Sequence, residues 1–174
     1  MIKISNGFSL IELLMVLSII IGIMIFIVPS QKLFLTRGQD QVLRSQLLHA
    51  ILLTRDEAIA KSEIMTLCAS QDSKQCSGTW SQGYIIYSSQ KVIAVFHNNE
   101  FDQGRIHWRA FPNDRNDLQF LSSGLPNSEN GTFWYCAKDA KNPSWAIAVS
   151  QSGRARLMMP NEAGVIEDIS VSCE

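Results

Sequence analysis

The chain has 174 residues, enough for one domain of ordinary size and an additional anchoring segment. Its 15 lysines and arginines nearly balance its 16 aspartates and glutamates, so the formal net charge is −1. This balance excludes a positive field over the whole molecule, and binding of an acidic polymer therefore requires a local basic patch.

An apolar segment over residues 8–28 follows a short polar leader, "MIKISNG", at residues 1–7. The segment has 21 residues. As a helix with a rise of about 1.5 Å per residue it is about 31 Å long, enough to cross the hydrocarbon core of a bilayer. The small residue Gly7 precedes the apolar run, whereas a secretory signal peptide carries its cleavage site after it. We therefore predict a transmembrane or filament-core helix over residues 8–28.

Glu12 is the only ionisable side chain in this segment. A charged side chain at the centre of a membrane helix costs about 2.5–3.5 kcal/mol on insertion scales. A plain anchor would be more stable with leucine here, so we expect Glu12 to have a partner.

The helical pattern continues over residues 29–62. We expect a weak point or bend at Gly38, because glycine costs about 1 kcal/mol relative to alanine in a helix. The helix is predicted to end near Lys61 and Ser62. An amphipathic stripe is predicted for Val42, Leu43, Leu47, Leu48, Ile51, Leu52 and Ile59, which fall mostly three, four, seven and eight positions apart.

Residues 63–174 are predicted to form a globular β head, with short strands separated by turns rich in glycine, asparagine and proline. The strand spacing favours a β-sandwich or a pair of sheets packed against the helix, which is an α+β fold. The predicted strands are Met65–Ala69, Tyr84–Ser88, Val92–Phe96, Ile106–Phe111, Leu118–Leu121, Thr132–Cys136, Ala146–Ser150, Arg154–Met159 and Ile166–Val171.

The N-terminal stretch "GFSLIELLMVLSIIIGIM", followed by Pro29, resembles type IV pilins and the pseudopilins of type II secretion. The resemblance implies that a prepilin peptidase removes residues 1–7 by cutting after Gly7, and that the new N-terminal Phe8 is methylated. Glu12 would then pair with the methylated amine of a neighbouring subunit and set the register between helices. The implied partners are the peptidase, the inner membrane before assembly, and other pilin subunits in a filament.

Spaced fragments of the head resemble the GspH/FimT branch of this family. They are "LCAS" and "GYIIY", then "FWYCAK", then "AIAVSQSGRARL". The fold implied is a long N-terminal pilin helix, membrane-spanning in its first half, packed on a C-terminal β-sandwich or two-sheet head.

The four cysteines have no metal-site spacing and indicate two disulfides formed in an oxidising compartment. Four buried free thiols would give the same pattern, and four cysteines allow three connectivities. We favour Cys68–Cys76, which would close a small loop, and Cys136–Cys173, which would tie down the C-terminal strand.

The cysteines also bear on the orientation of the head. Lys3 precedes the apolar segment while Lys32, Arg37 and Arg44 follow it, so the positive-inside rule would leave the head in the cytoplasm. Disulfides favour the periplasm instead. We expect a single-pass inner-membrane protein with a periplasmic head, later assembled into the cell-surface pilus.

The sequence gives no support for an enzyme, a metal site or a cofactor. His49, His97 and His107 lack ligand spacing, although His97 and His107 could share a β surface. The tryptophans are expected in the core or on a sheet face. The loop carboxylates and arginines between residues 100 and 117 are expected to form a solvated charged surface.

The stretch "SQSGRARLMM", residues 150–159, predicts a hairpin turn in which Gly153 takes a positive φ. Alternate residues of the next strand share a face, so Arg154 and Arg156 point the same way, about 6.6 Å apart, while Ala155 and Leu157 turn toward the core. Such a pair could bind neighbouring phosphates of one nucleic-acid strand. A charged edge strand protected from aggregation is the alternative.

The resemblance gives this pair a function, because FimT-type minor pilins of natural transformation carry a GRxR motif implicated in DNA binding. Gly153, Arg154 and Arg156 match it, and Lys138 and Lys141 are added to the predicted site from sequence proximity. The function predicted is DNA binding through backbone contacts, without strong sequence preference. The alternatives are a structural minor pilin or pseudopilin without DNA binding, and an adhesive minor pilin.

Overall fold

The computed structural model describes residues 9–89, 91–98, 104–112, 115–127, 130–167 and 171–173. Within the helix, the side chains of residues 25–37 and 39 are also outside the description. The chain divides into two compact units, Met1–Gln39 and Asp40–Glu174. Each unit is described by itself below.

One helix, α1, spans Leu10–Lys61. The helix continues through Gly38, so the expected weak point does not end it. The predicted end is confirmed: Ser62 adopts a left-handed conformation with φ 55°. The N–H groups of Ser62 and Glu63 donate to the carbonyls of Ile59 and Ala58, which caps the last turn.

In the first unit, the described apolar side chains of residues 10–24 are mostly exposed, and Glu12 lies in the first turn of α1. Among the described residues, no helix combines the length and the apolar character needed to cross a membrane. Gly7 and Phe8 lie outside the described residues, as do the side chains of residues 25–28. The leader and the transmembrane segment therefore stay predictions.

The described residues of the second unit form the strands β1 Met65–Ala69, β2 Gly83–Ser88, β3 Lys91–His97, β4 Arg105–Phe111, β5 Asp117–Phe120, β6 Asn130–Cys136, β7 Trp145–Val149 and β8 Ala155–Met158. These strands make two antiparallel four-stranded sheets, with strand orders β3-β2-β1-β5 and β4-β6-β7-β8. We call them the first and the second sheet.

The ninth predicted strand, Ile166–Val171, is wrong in its described part, because residues 166, 167 and 171 are not in a strand. Ile166 is buried against Ala146 and Met158 of the second sheet. The Ile166 side chain thus packs this segment onto the sheet, and a turn just before it is closed by the Val165 carbonyl accepting the Asn161 N–H. The sequence pattern shows the apolar residues but not this mode of packing.

The core is shared by the second half of α1 and by both sheets. Leu43, Leu47 and Ile51 of the predicted stripe are buried in it, while Val42 and Ile59 are exposed. The stripe is therefore narrower than predicted, and the small residues Ala50 and Ala58 extend it instead. From the sheets, the core receives Met65, Leu67, Tyr84, Ile86, Leu118, Phe120, Phe133, Tyr135, Trp145, Ile147 and Val149.

Both favoured disulfides are present, Cys68–Cys76 and Cys136–Cys173. The first closes a loop that Asp72 also organises, because its carboxylate accepts the N–H groups of Lys74 and Gln75. These backbone hydrogen bonds lower the pKa of Asp72. The second disulfide fixes the C-terminal segment to the end of β6.

Removing the second disulfide should cost more stability than removing the first. In the chain-entropy model, sequence separations of 37 and 8 residues correspond to about 4 and about 2.5 kcal/mol. We therefore expect Cys136→Ala/Cys173→Ala to lose about 1 kcal/mol more free energy of unfolding than Cys68→Ala/Cys76→Ala, as measured by urea denaturation. Equal losses would mean that the C-terminal segment is held by its side-chain packing rather than by the crosslink.

Candidate nucleic-acid interface

A tight hairpin joins β7 to β8. The Gly153 N–H donates to the Ser150 carbonyl at 2.9 Å, and the Ser150 N–H donates to the Arg154 carbonyl at 3.0 Å. The Ser150 hydroxyl lies 2.9 Å from that of Ser152 and accepts the Arg154 N–H at 3.3 Å. Gly153 has φ +76°, which confirms the positive φ predicted for it.

The hairpin packs on a second loop and on α1. A Cβ at Gly153 would overlap the carbonyl oxygen of Gly124 and come within 3.1 Å of Arg55 Nε. Arg55 itself donates from Nε to that same carbonyl at 3.0 Å. Glycine at 153 is therefore required twice, by the backbone conformation and by the close approach to Gly124. This packing fixes the turn of the hairpin relative to the last turns of the helix.

Arg154 and Arg156 are both exposed, while Ala155 and Leu157 between and after them pack against the core. Arg156 Nη2 lies 3.6 Å from the sulfur of Met158. Arg156 also lines a surface groove of about 280 Å³ with Glu167. The Glu167 carboxylate accepts a hydrogen bond from Asn161 at 2.8 Å.

The face of the second sheet that carries Arg156 is called the outer face here. Its neighbours by cross-strand register are Ala148 on β7, Thr132 on β6 and Arg109 on β4. The opposite face contributes Phe133, Ile147 and their neighbours to the core. An arginine therefore stands at each edge of the outer face, in the same row.

Aromatic rings follow in the next row of the outer face. The His107 and Trp134 rings stack at 5.2 Å between centroids, and Arg109 Cζ lies 5.9 Å from the Trp134 centroid. Sequence reasoning missed Arg109. The alternation of Arg105, His107 and Arg109 along one strand was a signal, but it does not reveal which strands are neighbours.

His107 is held in its neutral form. Burial lowers its pKa from the ordinary value, and the positive charge of Arg105 lowers it further. At neutral pH, His107 therefore adds an aromatic surface to the outer face and not a charge.

The stability of the protein should reflect this shift. A histidine in the unfolded chain has a pKa of about 6.5. Because the pKa of His107 is lower in the folded protein, the unfolded chain takes up this proton first as the pH falls. The free energy of unfolding therefore decreases below about pH 6.5. We expect the melting temperature of His107→Gln to fall less than that of the wild type when the pH is lowered from about 7.5 to about 5. Equal losses in the two proteins would mean that His107 is not the group responsible.

Lys138 and Lys141 are exposed but are not brought to the hairpin. They lie in the connection from β6 to β7, and β7 runs from there to the hairpin over five residues, which is about 16 Å of strand. Lys138 instead lines a cavity of about 600 Å³ with Arg105, His107 and the Cys136–Cys173 disulfide. Sequence proximity was misleading because a whole strand separates the two places.

The other side chains considered from the sequence fall elsewhere. His97 is on β3 of the first sheet and His107 on β4 of the second, so the two histidines do not share a β surface. Trp80 and Trp145 are buried, whereas Trp108 and Trp134 are half-buried. Within the described residues, no three histidine, cysteine, aspartate or glutamate side chains are grouped so as to hold a metal ion.

The chain is similar to known proteins in its head and its fold. The family model described as "Type II transport protein GspH" matches residues 44–153. A crystal structure of the type IV minor pilin FimU from Pseudomonas aeruginosa is 18% identical, with a TM-score of 0.58, and covers 81% of this chain and 99% of that one. The minor pseudopilin EPSH from the type II secretion system of Vibrio cholerae is 14% identical, with a TM-score of 0.50, and covers 73% and 98%. No curated protein matches the chain in sequence.

Proposed function

Because the chain belongs to the GspH family of type II transport proteins, we propose that it is a minor type IV pilin that binds extracellular DNA and promotes its uptake in natural transformation. The proposed contacts with the DNA backbone are made by Arg154 and Arg156, with Gly153 shaping the turn. The protein performs no catalysis in this proposal and needs no cofactor.

The observation that carries the proposal is the exposed arginine pair that directly follows the hairpin turn. A guanidinium matches the geometry of a phosphate and binds it bidentately. Arg154 and Arg156 are exposed at alternate positions, with the intervening Ala155 packed inward. The G-R-x-R order of the motif agrees with this arrangement.

Binding of this kind is weak, salt-sensitive and indifferent to sequence. The net charge of the chain is −1, so only the local patch attracts DNA. Contacts with a few phosphates give dissociation constants of about 1–100 μM, and log K falls by about 0.9 per contact for each log unit of salt. None of the proposed contacts reaches a base edge, so different sequences should bind alike.

Processing and assembly follow the pilin pattern in this proposal. The prepilin peptidase cleaves after Gly7 and Phe8 becomes the methylated N-terminus. The subunit waits in the inner membrane through residues 8–28, with its head in the periplasm, and then joins other pilins in the filament. Glu12 pairs with the N-terminal amine of a neighbour.

The variant Glu12→Leu should therefore insert into the membrane but fail to join filaments. A leucine side chain enters an apolar environment at lower free energy than a carboxylate, so insertion is kept. The ion pair that sets the register between neighbouring helices is lost. The measurement is the amount of the variant in sheared, purified filaments against the amount in the membrane fraction. Wild-type incorporation would rule out this role for Glu12.

A structural minor pseudopilin without DNA binding is the second candidate, favoured by the description of the matching family as type II transport proteins. A DNA-uptake assay distinguishes the two. Cells that carry Arg154→Ala/Arg156→Ala in place of the wild type should still assemble filaments but take up little DNA. Normal uptake by these cells would favour the structural role, and the arginines would then be the charges that protect an edge strand.

A further inference from the structure

Arg109 and Arg156 stand at opposite edges of one row on the outer face of the second sheet, and the side chains between them in that row are small. The register runs Arg109, Thr132, Ala148, Arg156 across β4, β6, β7 and β8. Neighbouring strands are about 4.8 Å apart, so the two arginine Cα atoms are about 14 Å apart. Only a threonine and an alanine, both small, lie between them. These four residues are called the arginine trough.

The Arg109 side chain packs against an aromatic ring. Its guanidinium lies over the indole of Trp134, 5.9 Å from the ring centroid. The indole is itself held, since its Nε1 donates to the Ser172 carbonyl at 3.3 Å and His107 stacks on its ring. An exposed but positioned arginine loses less rotamer freedom on binding than an unsupported one.

The charge of the trough suits a polyanion. The row itself holds no acidic residue. Among the described residues, Glu167 lines a surface groove together with Arg156 and lies outside the row. Arg154 precedes Arg156 on the hairpin side and extends the same flank. The trough thus has two arginines on one side and one on the other.

Resting on the DNA-binding function proposed above, we infer that Arg109 is a third phosphate-binding residue and that the DNA backbone lies in the arginine trough. One flank, Arg154 and Arg156, binds successive phosphates of the backbone. Arg109 binds from the other flank, with its guanidinium kept over Trp134. Thr132 and Ala148 form the floor between the two flanks.

The test measures dissociation constants of the oxidised full-length protein in an uncharged detergent for a fluorescent DNA duplex at several salt concentrations. Arg109→Ala should bind about tenfold more weakly at low salt, and the slope of log K against log salt should shrink by about 0.9. Arg109→Lys keeps the charge and should keep the slope. Lys91→Ala, which removes an exposed cation from the first sheet, is the matched control and should change neither quantity.

A second variant is expected to bind DNA more tightly, a result that poor folding of the variant cannot produce. Thr132→Lys places a cation on the floor of the trough, so it should bind about tenfold more tightly and steepen the slope by about 0.9. Unchanged constants and slopes for Arg109→Ala and Thr132→Lys would overturn the trough, while loss of binding in Arg154→Ala/Arg156→Ala would still support the hairpin site. Absence of binding by the wild type would overturn the proposed function and the trough with it.

Discussion

Replacing Arg154 and Arg156 by alanine together should weaken DNA binding by at least about 100-fold at low salt, because each charge-assisted hydrogen bond contributes about 1.5–3 kcal/mol and about 1.4 kcal/mol is tenfold in Kd. Both side chains are exposed, so their loss leaves the core intact. The measurement is a fluorescence titration of the full-length protein with duplex DNA, accompanied by a melting curve that checks the fold.

The matched control removes two cations elsewhere. Lys74 lies in the loop closed by the first disulfide and Lys91 on β3, and both are exposed. Lys74→Ala/Lys91→Ala changes the net charge by the same amount, so it should bind DNA almost as well as the wild type. If both double variants weaken binding equally, attraction comes from net charge and the hairpin is not a site.

Gly153→Ala should be one of the most destabilising single methyl additions in the head. A non-glycine residue at φ +76° costs about 1–2 kcal/mol. The overlap of the new Cβ with the Gly124 carbonyl adds about 1–3 kcal/mol, as in other overpacked sites. We expect a loss of about 2–5 kcal/mol in the free energy of unfolding, measured by urea denaturation.

Gly164 supplies the control for this variant. Its φ of +73° is nearly the same, but a Cβ there would find its nearest neighbour at an ordinary contact distance, 3.9 Å from Asn142 Nδ2. Gly164→Ala should therefore show only the conformational cost of about 1–2 kcal/mol. If the two variants lose the same stability, the close packing of the hairpin on Gly124 and Arg55 contributes nothing.

Much of the fold could be predicted because its signals are local. The end of α1 near Lys61, eight of the nine strands and the positive φ of Gly153 all follow from periodicity and turn chemistry within a few residues. The predicted amphipathic stripe is wider than the buried face of the helix because Val42 and Ile59 match the helical period yet are exposed to solvent. Ile166 was wrongly placed in a strand because, in sequence, an apolar residue that follows a turn resembles the start of a strand.

The candidate site was only partly predictable because it is assembled from distant parts of the chain. Arg154 and Arg156 could be found in one short motif. The support for that motif could not, since Arg55 and Gly124 are far from Gly153 in sequence and meet it only through the fold. Arg109 stands across the outer face from Arg156 because β4 and β8 are opposite edges of one sheet, and strand order is not encoded in any local pattern.

The salt dependence of DNA binding by the wild-type protein tests the central claim most directly. The full-length protein, oxidised and in an uncharged detergent, would be titrated with two duplexes of unrelated sequence at several salt concentrations. The account predicts linear plots of log K against log salt with a slope of about −2 to −3, from two or three phosphate contacts, and the same slope for both sequences. No detectable binding, a slope near zero, or a strong preference for one sequence would contradict it.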